Sequence, residues 1–160
     1  MRKLYHFIIP LIIINIMSCT TEKITLMSYN IRYDNLHDEK NSWLKRKDEV
    51  VGIFKEYTPT FIGTQEGLKH QIEYINDLLR KYDYIGVGRD DGKSKGEFCA
   101  IYYDSSEYNL LKQSTFWLSS NPLEVSVGWD AALERICTYG YFEHKNSEKR
   151  IWVFNTHFDH

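Results

Sequence analysis

Three separated peptides hold the residues best equipped for chemistry: Ser28-Tyr29-Asn30-Ile31-Arg32-Tyr33-Asp34, Gly63-Thr64-Gln65-Glu66 and Asn155-Thr156-His157-Phe158-Asp159-His160. Each closes a short β-like run with a polar group able to face a metal ion or a phosphate. Glu66 directly follows the strand-like Thr60-Phe61-Ile62-Gly63-Thr64-Gln65. A carboxylate at a strand end suits Mg2+, which takes hard oxygen ligands and keeps several waters. Its competing role is to cap the helix that follows, where negative charge is favoured. Asn30 brings a neutral amide that ligates a cation, holds a phosphate oxygen or fixes a turn. Asn155, His157 and Asp159 share one strand parity, so Asn155 can orient the His157 ring. A fixed imidazole then donates to a phosphoryl oxygen or moves a proton. The bland alternative is a satisfied core histidine, and three polar residues clustered after Ile151-Trp152-Val153-Phe154 weigh against it.

Other candidates carry less context. Arg89, beside Asp90 and Asp91, sits where a turn between strands is expected and can clamp a phosphate, or belong to a solvated loop. Trp129-Asp130 and Arg135 can line a cleft, or Asp130 and Arg135 can pair with each other. His37, His70 and His144 sit in polar surroundings, and Gly86-Val87-Gly88 is too little for a dinucleotide fingerprint. Cys99 and Cys137 lie in apolar, strand-like stretches. They lack the tight clustering of a zinc site and are expected as buried free thiols.

Hydrophobic periodicity supplies the elements that position these groups. Strands are expected over 23–31, 60–65, 82–87, 98–103, 110–118, 135–142 and 150–158. Val50, Ile53, Phe54 and Tyr57 follow helical spacing, giving a helix over 45–57 that Pro59 ends. Leu68, Ile72, Ile75 and Leu79 stripe a second helix. Segments 34–42 and 121–133 read as irregular. The order strand, helix, strand, helix and then mostly strands predicts a mixed α/β protein rather than a uniform doubly wound sheet.

The N-terminus is read as a targeting segment. Arg2 and Lys3 precede an apolar run to Met17, shorter than the roughly 20 residues of a spanning helix, and Ser18-Cys19 follows. Residues 1–18 are expected to form a signal peptide. Ile16-Met17-Ser18-Cys19 resembles a loose bacterial lipoprotein signal with Cys19 as the lipidated residue, an ordinary signal peptide being the alternative. The expected product is lipid-anchored in a bacterial cell envelope. It is one domain of about 140 residues, spanning 23–160, and a monomer. With 20 Lys and Arg against 22 Asp and Glu, and no long basic run, stable nucleic-acid binding is not expected.

Taken together, the three peptides resemble the endonuclease/exonuclease/phosphatase superfamily. Lys95-Gly96-Glu97-Phe98-Cys99-Ala100-Ile101-Tyr102-Tyr103 and Gly128-Trp129-Asp130-Ala131-Ala132-Leu133-Glu134-Arg135 add to the likeness. The resemblance implies an α/β (α+β) fold: a four-layer αββα sandwich of two mixed β-sheets with outer helices, its second half incomplete here. It implies Mg2+, or else Mn2+, at Asn30 and Glu66, with His157 on the scissile phosphate. Asn155, Arg89, Asp130, Arg135, Asp159 and His160 are the further candidates for binding a phosphoester substrate. The family also implies a later Gly-Asp-x-Asn motif and a final Asp-His pair. These 160 residues do not supply them, so an inactive fragment is expected.

Two alternatives come from other classes. Asn155-Thr-His157-Phe-Asp159-His160 resembles the His-x-His-x-Asp-His signature of metallo-β-lactamase-type zinc hydrolases, with Asn155 replacing the first ligand. A non-catalytic, lipid-anchored domain binding glycan or protein is the other.

Overall fold

The computed structural model describes residues 23–159. The expected signal peptide, the Cys19 lipid anchor and His160 lie outside the described residues. Strand β1 (Leu26–Asn30) leads through a loop with one 3-10 turn into helix α1 (Trp43–Tyr57), and strand β2 (Phe61–Gln65) follows. Helix α2 (Lys69–Leu78) and strands β3 (Tyr82–Ile85) and β4 (Ile101–Asp104) come next. A three-strand meander of β5 (Tyr108–Trp117), β6 (Ile136–His144) and β7 (Arg150–Thr156) ends the description. Helix α1 starts two residues before its expected position because Trp43 is drawn into the core, edge-on to Tyr74 at 5.9 Å. It stops at Thr58, whose left-handed backbone (φ 41°) lets its N–H return to the Phe54 carbonyl at 3.0 Å. Pro59 cannot continue the helix.

The first sheet runs β1-β2-β4-β3. β1 and β2 are parallel, as their helical crossover requires, and the other pairings are antiparallel. Both faces of β2 are covered: Phe61 and Ile62 are buried on opposite faces, and the polar Thr64 and Gln65 are buried with them. Ile62 faces the helices with Val51, Phe54, Ile72, Ile75 and Tyr102. Phe61 faces the second sheet with Ile101, Tyr103 and Phe142. The Phe142 ring stands 4.9 Å from both Phe61 and Tyr103 and pins the sheets together.

The second sheet, β5-β6-β7, is antiparallel throughout, where two mixed sheets were expected. A short connection, residues 145–149, joins β6 to β7 and favours antiparallel neighbours, whereas β5 reaches β6 through the longer irregular segment 118–135. The fold is α+β: helices on the first sheet, and the second sheet against its opposite face. Three of the four expected layers are present, and among the described residues no helix covers the outer face of the second sheet.

Candidate functional site

β1 and β2 finish side by side, with Asn30 in register with Gln65. The next residue, Glu66, is left-handed (φ 62°), which turns its carboxylate back toward β1. Asn30 Nδ2 donates to Glu66 Oε1 at 2.7 Å, and the Tyr33 N–H donates to Oε2 at 3.3 Å. Asn30 Oδ1 accepts the Arg32 N–H at 2.9 Å, closing a tight turn in which Arg32 is also left-handed (φ 55°). Two non-glycine residues in this region cost about 1–3 kcal/mol each and persist where their surroundings fix them. Arg46 donates to the carbonyls of Ile31, Arg32 and Tyr33. Gln71, fully buried, donates to Arg32 O at 3.0 Å and accepts from Asp34 N at 3.0 Å. Arg32 grips Asp38 through two bonds of 2.6 Å, which holds the Asp38 carboxyl below its ordinary range.

This geometry assigns roles that the sequence left open. Gln71, not Glu66, satisfies the free Leu68 N–H at the start of α2 (3.1 Å). Asn30 does fix a turn, and its other amide end orients Glu66. Its oxygen faces Arg32 rather than open space, so Glu66 is the better cation ligand of the two. The half-exposed carboxylate is a hard donor with lone pairs to spare, and Mg2+ binds through one or two carboxylates plus waters. The carboxylate chemistry of Glu66 therefore suits a hard divalent cation. Among the described residues no three His, Cys, Asp or Glu side chains gather into a group that could hold a metal ion by themselves, so a cation at Glu66 would fill its shell with water.

Asn155 lies elsewhere than expected. It is buried between the sheets, and its amide is fully engaged there. Gln65 Nε2 donates to its Oδ1 at 2.7 Å, while its Nδ2 donates to Thr64 O at 2.8 Å and Ala100 O at 2.9 Å. Gly63 makes room for it, since a Cβ at Gly63 would stand 2.9 Å from Asn155. Asn155 therefore fastens β7 to β2 and β4 and does not orient His157. The His157 ring lies beyond it, beside Glu97, Cys99 and Arg135, and its Nδ1 is buried without a hydrogen-bond partner. A buried orphan of this kind calls for an explanation.

Of the charged candidates, Arg89, Arg135 and Asp159 are paired. Arg89 forms a two-pronged pair with Glu97 at 3.0 and 3.2 Å, and its carbonyl accepts the Trp117 indole N–H at 2.9 Å. Arg135 donates to Asp159 Oδ1 at 3.0 and 2.5 Å, and the Ala132 N–H donates to Oδ2 at 2.9 Å. The contact foreseen between Asp130 and Arg135 is thus replaced by Arg135–Asp159, while Asp130 is exposed. Glu97, Gln65 and Gln71 were missed by the sequence reasoning. The one available signal for the glutamines was a polar residue in the apolar register of a strand or helix.

Asn30 and Glu66 touch, whereas His157 hydrogen-bonds to neither. The two clusters share one end of the sandwich, where β2 and β7 finish and β4 begins. A 2.8 Å bond from Phe98 N to Gly67 O joins the segment after Glu66 to the Glu97–Cys99 wall beside His157.

Cys99 and Cys137 are buried free thiols, as expected. Burial pushes the Cys99 thiol up to about 12, and it raises that of Cys137. Both are expected to resist iodoacetamide at pH 8 in the folded chain and to react fully in urea, read by mass spectrometry of their peptides. Native Cys99 keeps a proton that the unfolded thiol releases. Its contribution to stability is therefore intact below pH 9 and falls as pH rises from 9 toward about 12.

No family model matches the chain. A solved endonuclease/exonuclease/phosphatase from Bacteroides vulgatus matches it at 43% identity and TM-score 0.84, over 86% of this chain and 53% of that one. A mannosyl-6-phosphatase from Bacteroides thetaiotaomicron matches at 40% identity and TM-score 0.83, over 86% and 52%. An uncharacterized protein of Acanthamoeba polyphaga mimivirus is 32% identical over 126 residues, 73% of this chain and 46% of its own length. The chain thus spans about half the length of the proteins it matches. With its α+β layers and its three peptides arranged as described, it belongs to the endonuclease/exonuclease/phosphatase superfamily.

Proposed function

We propose that this chain holds part of the active site of a metal-dependent phosphoester hydrolase. The observation that carries the proposal is the 2.7 Å bond by which Asn30 aims Glu66 from the ends of two parallel strands. The family is generally metal-dependent, and Glu66 is the residue here that would hold Mg2+ or Mn2+. When bound, the cation supplies charge stabilisation at a phosphoryl oxygen. Asn30 keeps the carboxylate oriented, and the braced turn around Arg32 keeps Asn30 in place. His157 donates from its ring to a non-bridging phosphate oxygen, a role that gains from a water-poor setting. Arg135 and Asp159 fix the turn that follows His157.

The substrate we favour is a small phosphoester, such as a phosphorylated sugar, reached outside the cytoplasm by an exported, lipid-anchored, monomeric protein. The near-neutral charge argues against a long nucleic acid, and one relative at 40% identity bears the name mannosyl-6-phosphatase. Gly-Asp-x-Asn does not occur in the 160 residues, and Asp159-His160 belongs to the third peptide. Binding of the phosphate group is the part of this activity that Glu66 and His157 would supply.

Titration calorimetry with inorganic phosphate tests this. Binding is expected only with Mg2+ present, and His157→Ala should weaken it about 10-fold, roughly 1.4 kcal/mol. Phosphate binding indifferent to both Mg2+ and His157→Ala would overturn the reading, as would a complete lack of binding.

A further inference from the structure

The segment between β5 and β6 carries Gly128-Trp129-Asp130, residues to which binding of a cation and a phosphate gives no task. The segment is tied down along its length. The Leu118 N–H donates to Arg135 O at 2.7 Å and closes its base. Gly128 lies so close to the Leu118 carbonyl that a Cβ there would collide with it. The Ala132 N–H donates to Asp159 Oδ2 at 2.9 Å, which fastens the segment to the turn that follows His157. Glu134 and Arg135, just beyond, line the same recess as His157. The segment is therefore a rim of the candidate site.

Trp129 stands out on this rim. The Ala131 N–H donates to Gly128 O at 3.0 Å, so Trp129 is the second residue of a tight turn, and its backbone is left-handed (φ 52°). Glycine or asparagine takes that place at little cost, whereas a bulky residue there is an outlier. The fold gains no packing in return. The indole is 79% exposed, and among the described residues it makes no hydrogen bond or ring contact. The other tryptophans are placed differently: Trp43 and Trp117 are buried, and Trp152 stacks on Tyr141. Strained residues of this kind gather at ligand clamps, where the surroundings hold them.

We propose that Trp129 is a specificity-determining residue, which lays its indole face on the sugar ring of a phosphorylated substrate while Asp130 accepts a hydroxyl beside it. An indole gives a large, rigid contact at low entropic cost. Asp130 is exposed next to it and has no ion pair among the described residues. A carboxylate repels a phosphate but accepts from hydroxyls, so this pair suits the polyol end of the substrate and not its phosphate. A pyranose meets both groups at once, with its C–H face on the ring and its hydroxyls on the carboxylate. The inference rests on the phosphoester reading above and adds to it the residue that selects the alcohol part.

The test is titration calorimetry of the full 160-residue chain, with Mg2+, against mannose 6-phosphate and inorganic phosphate. The sugar phosphate is expected to bind more tightly. Trp129→Ala should weaken it about 10-fold, leaving inorganic phosphate unchanged, and Trp129→Phe should keep most of the affinity. Trp129→Gly should show the same selective loss while its urea midpoint rises, because glycine relieves the left-handed backbone. Equal loss for both probes, no loss for mannose 6-phosphate, or a lower midpoint in Trp129→Gly would each overturn the proposal. A matching loss for adenosine 5′-monophosphate would overturn the choice of sugar. Methyl mannoside, which has no phosphate, should quench tryptophan emission in the parent chain but not in Trp129→Phe. That arm separates the two readings. Quenching without phosphate binding removes only the hydrolase, and phosphate binding without quenching removes only the role of Trp129.

Discussion

Asn155→Ala is expected to destabilise the chain by about 2–4 kcal/mol. The truncation strands the Thr64 carbonyl, which Asn155 satisfies at 2.8 Å. It takes one of two donors from the Ala100 carbonyl, which still accepts the Thr64 N–H at 2.9 Å, and leaves the Gln65 amide only its longer contacts to Ser28 and Gly63 at 3.3 and 3.4 Å. Each stranded buried group costs roughly 1–3 kcal/mol, and relaxation keeps the total below the plain sum. Native stability is typically about 5–15 kcal/mol, so the loss is a large part of it. Urea unfolding followed by tryptophan fluorescence should show a midpoint lower by about 2 M with an unchanged slope. Asn155→Asp sharpens the test. It keeps the shape and the acceptor for Gln65, but sets a carboxylate oxygen against two carbonyls. Burial there favours the protonated acid, so the stability of this variant should fall as pH rises from about 4 to 7. If Asn155 served substrate instead, Asn155→Ala would leave the midpoint in place.

The same residue shows where the sequence was legible. Period and breaker residues placed the two helices and seven strands to within a few residues, because apolar spacing is the signal that burial imposes. Cys99 and Cys137 were legible as buried thiols for the same reason. What an alternating pattern cannot show is the partner across a layer. Asn155 has the parity of His157, but its nearest polar neighbours are on the facing sheet, at Thr64, Gln65 and Ala100. Arg135 was foreseen beside Asp130, five residues away, yet its partner is Asp159, brought in by the β6–β7 pairing. The Arg89–Glu97 pair closes a turn-rich segment that carries no periodicity. Asn30 and Glu66 were picked out as polar groups at strand ends. Their mutual bond needed the parallel register of β1 and β2, which no local pattern encodes.

Glu66→Gln is expected to weaken Mn2+ binding about 100-fold, read by electron paramagnetic resonance of the free ion. The variant keeps the shape and the acceptor for Asn30 Nδ2 and removes only the charge. A factor of 100 is roughly 2.7 kcal/mol, within the range for a charge-assisted contact. Asn30→Ala keeps the charge but frees the carboxylate to rotate, so a smaller loss of about 10-fold is expected. The decisive comparison is Glu66→Gly. Glu66 is left-handed at φ 62°, a conformation that costs a side chain about 1–2 kcal/mol and costs glycine little. The glycine variant also gives up the bonds from Asn30 and Tyr33, which are solvent-exposed and so contribute about 1 kcal/mol each to net stability. The two effects oppose each other, so the urea midpoint should stay close to that of the parent chain while Mn2+ binding is lost. That combination would mark a position strained for chemistry rather than for folding. A lower midpoint with Mn2+ binding intact would instead make Glu66 a strut for the Asn30 turn and leave the cation without its ligand.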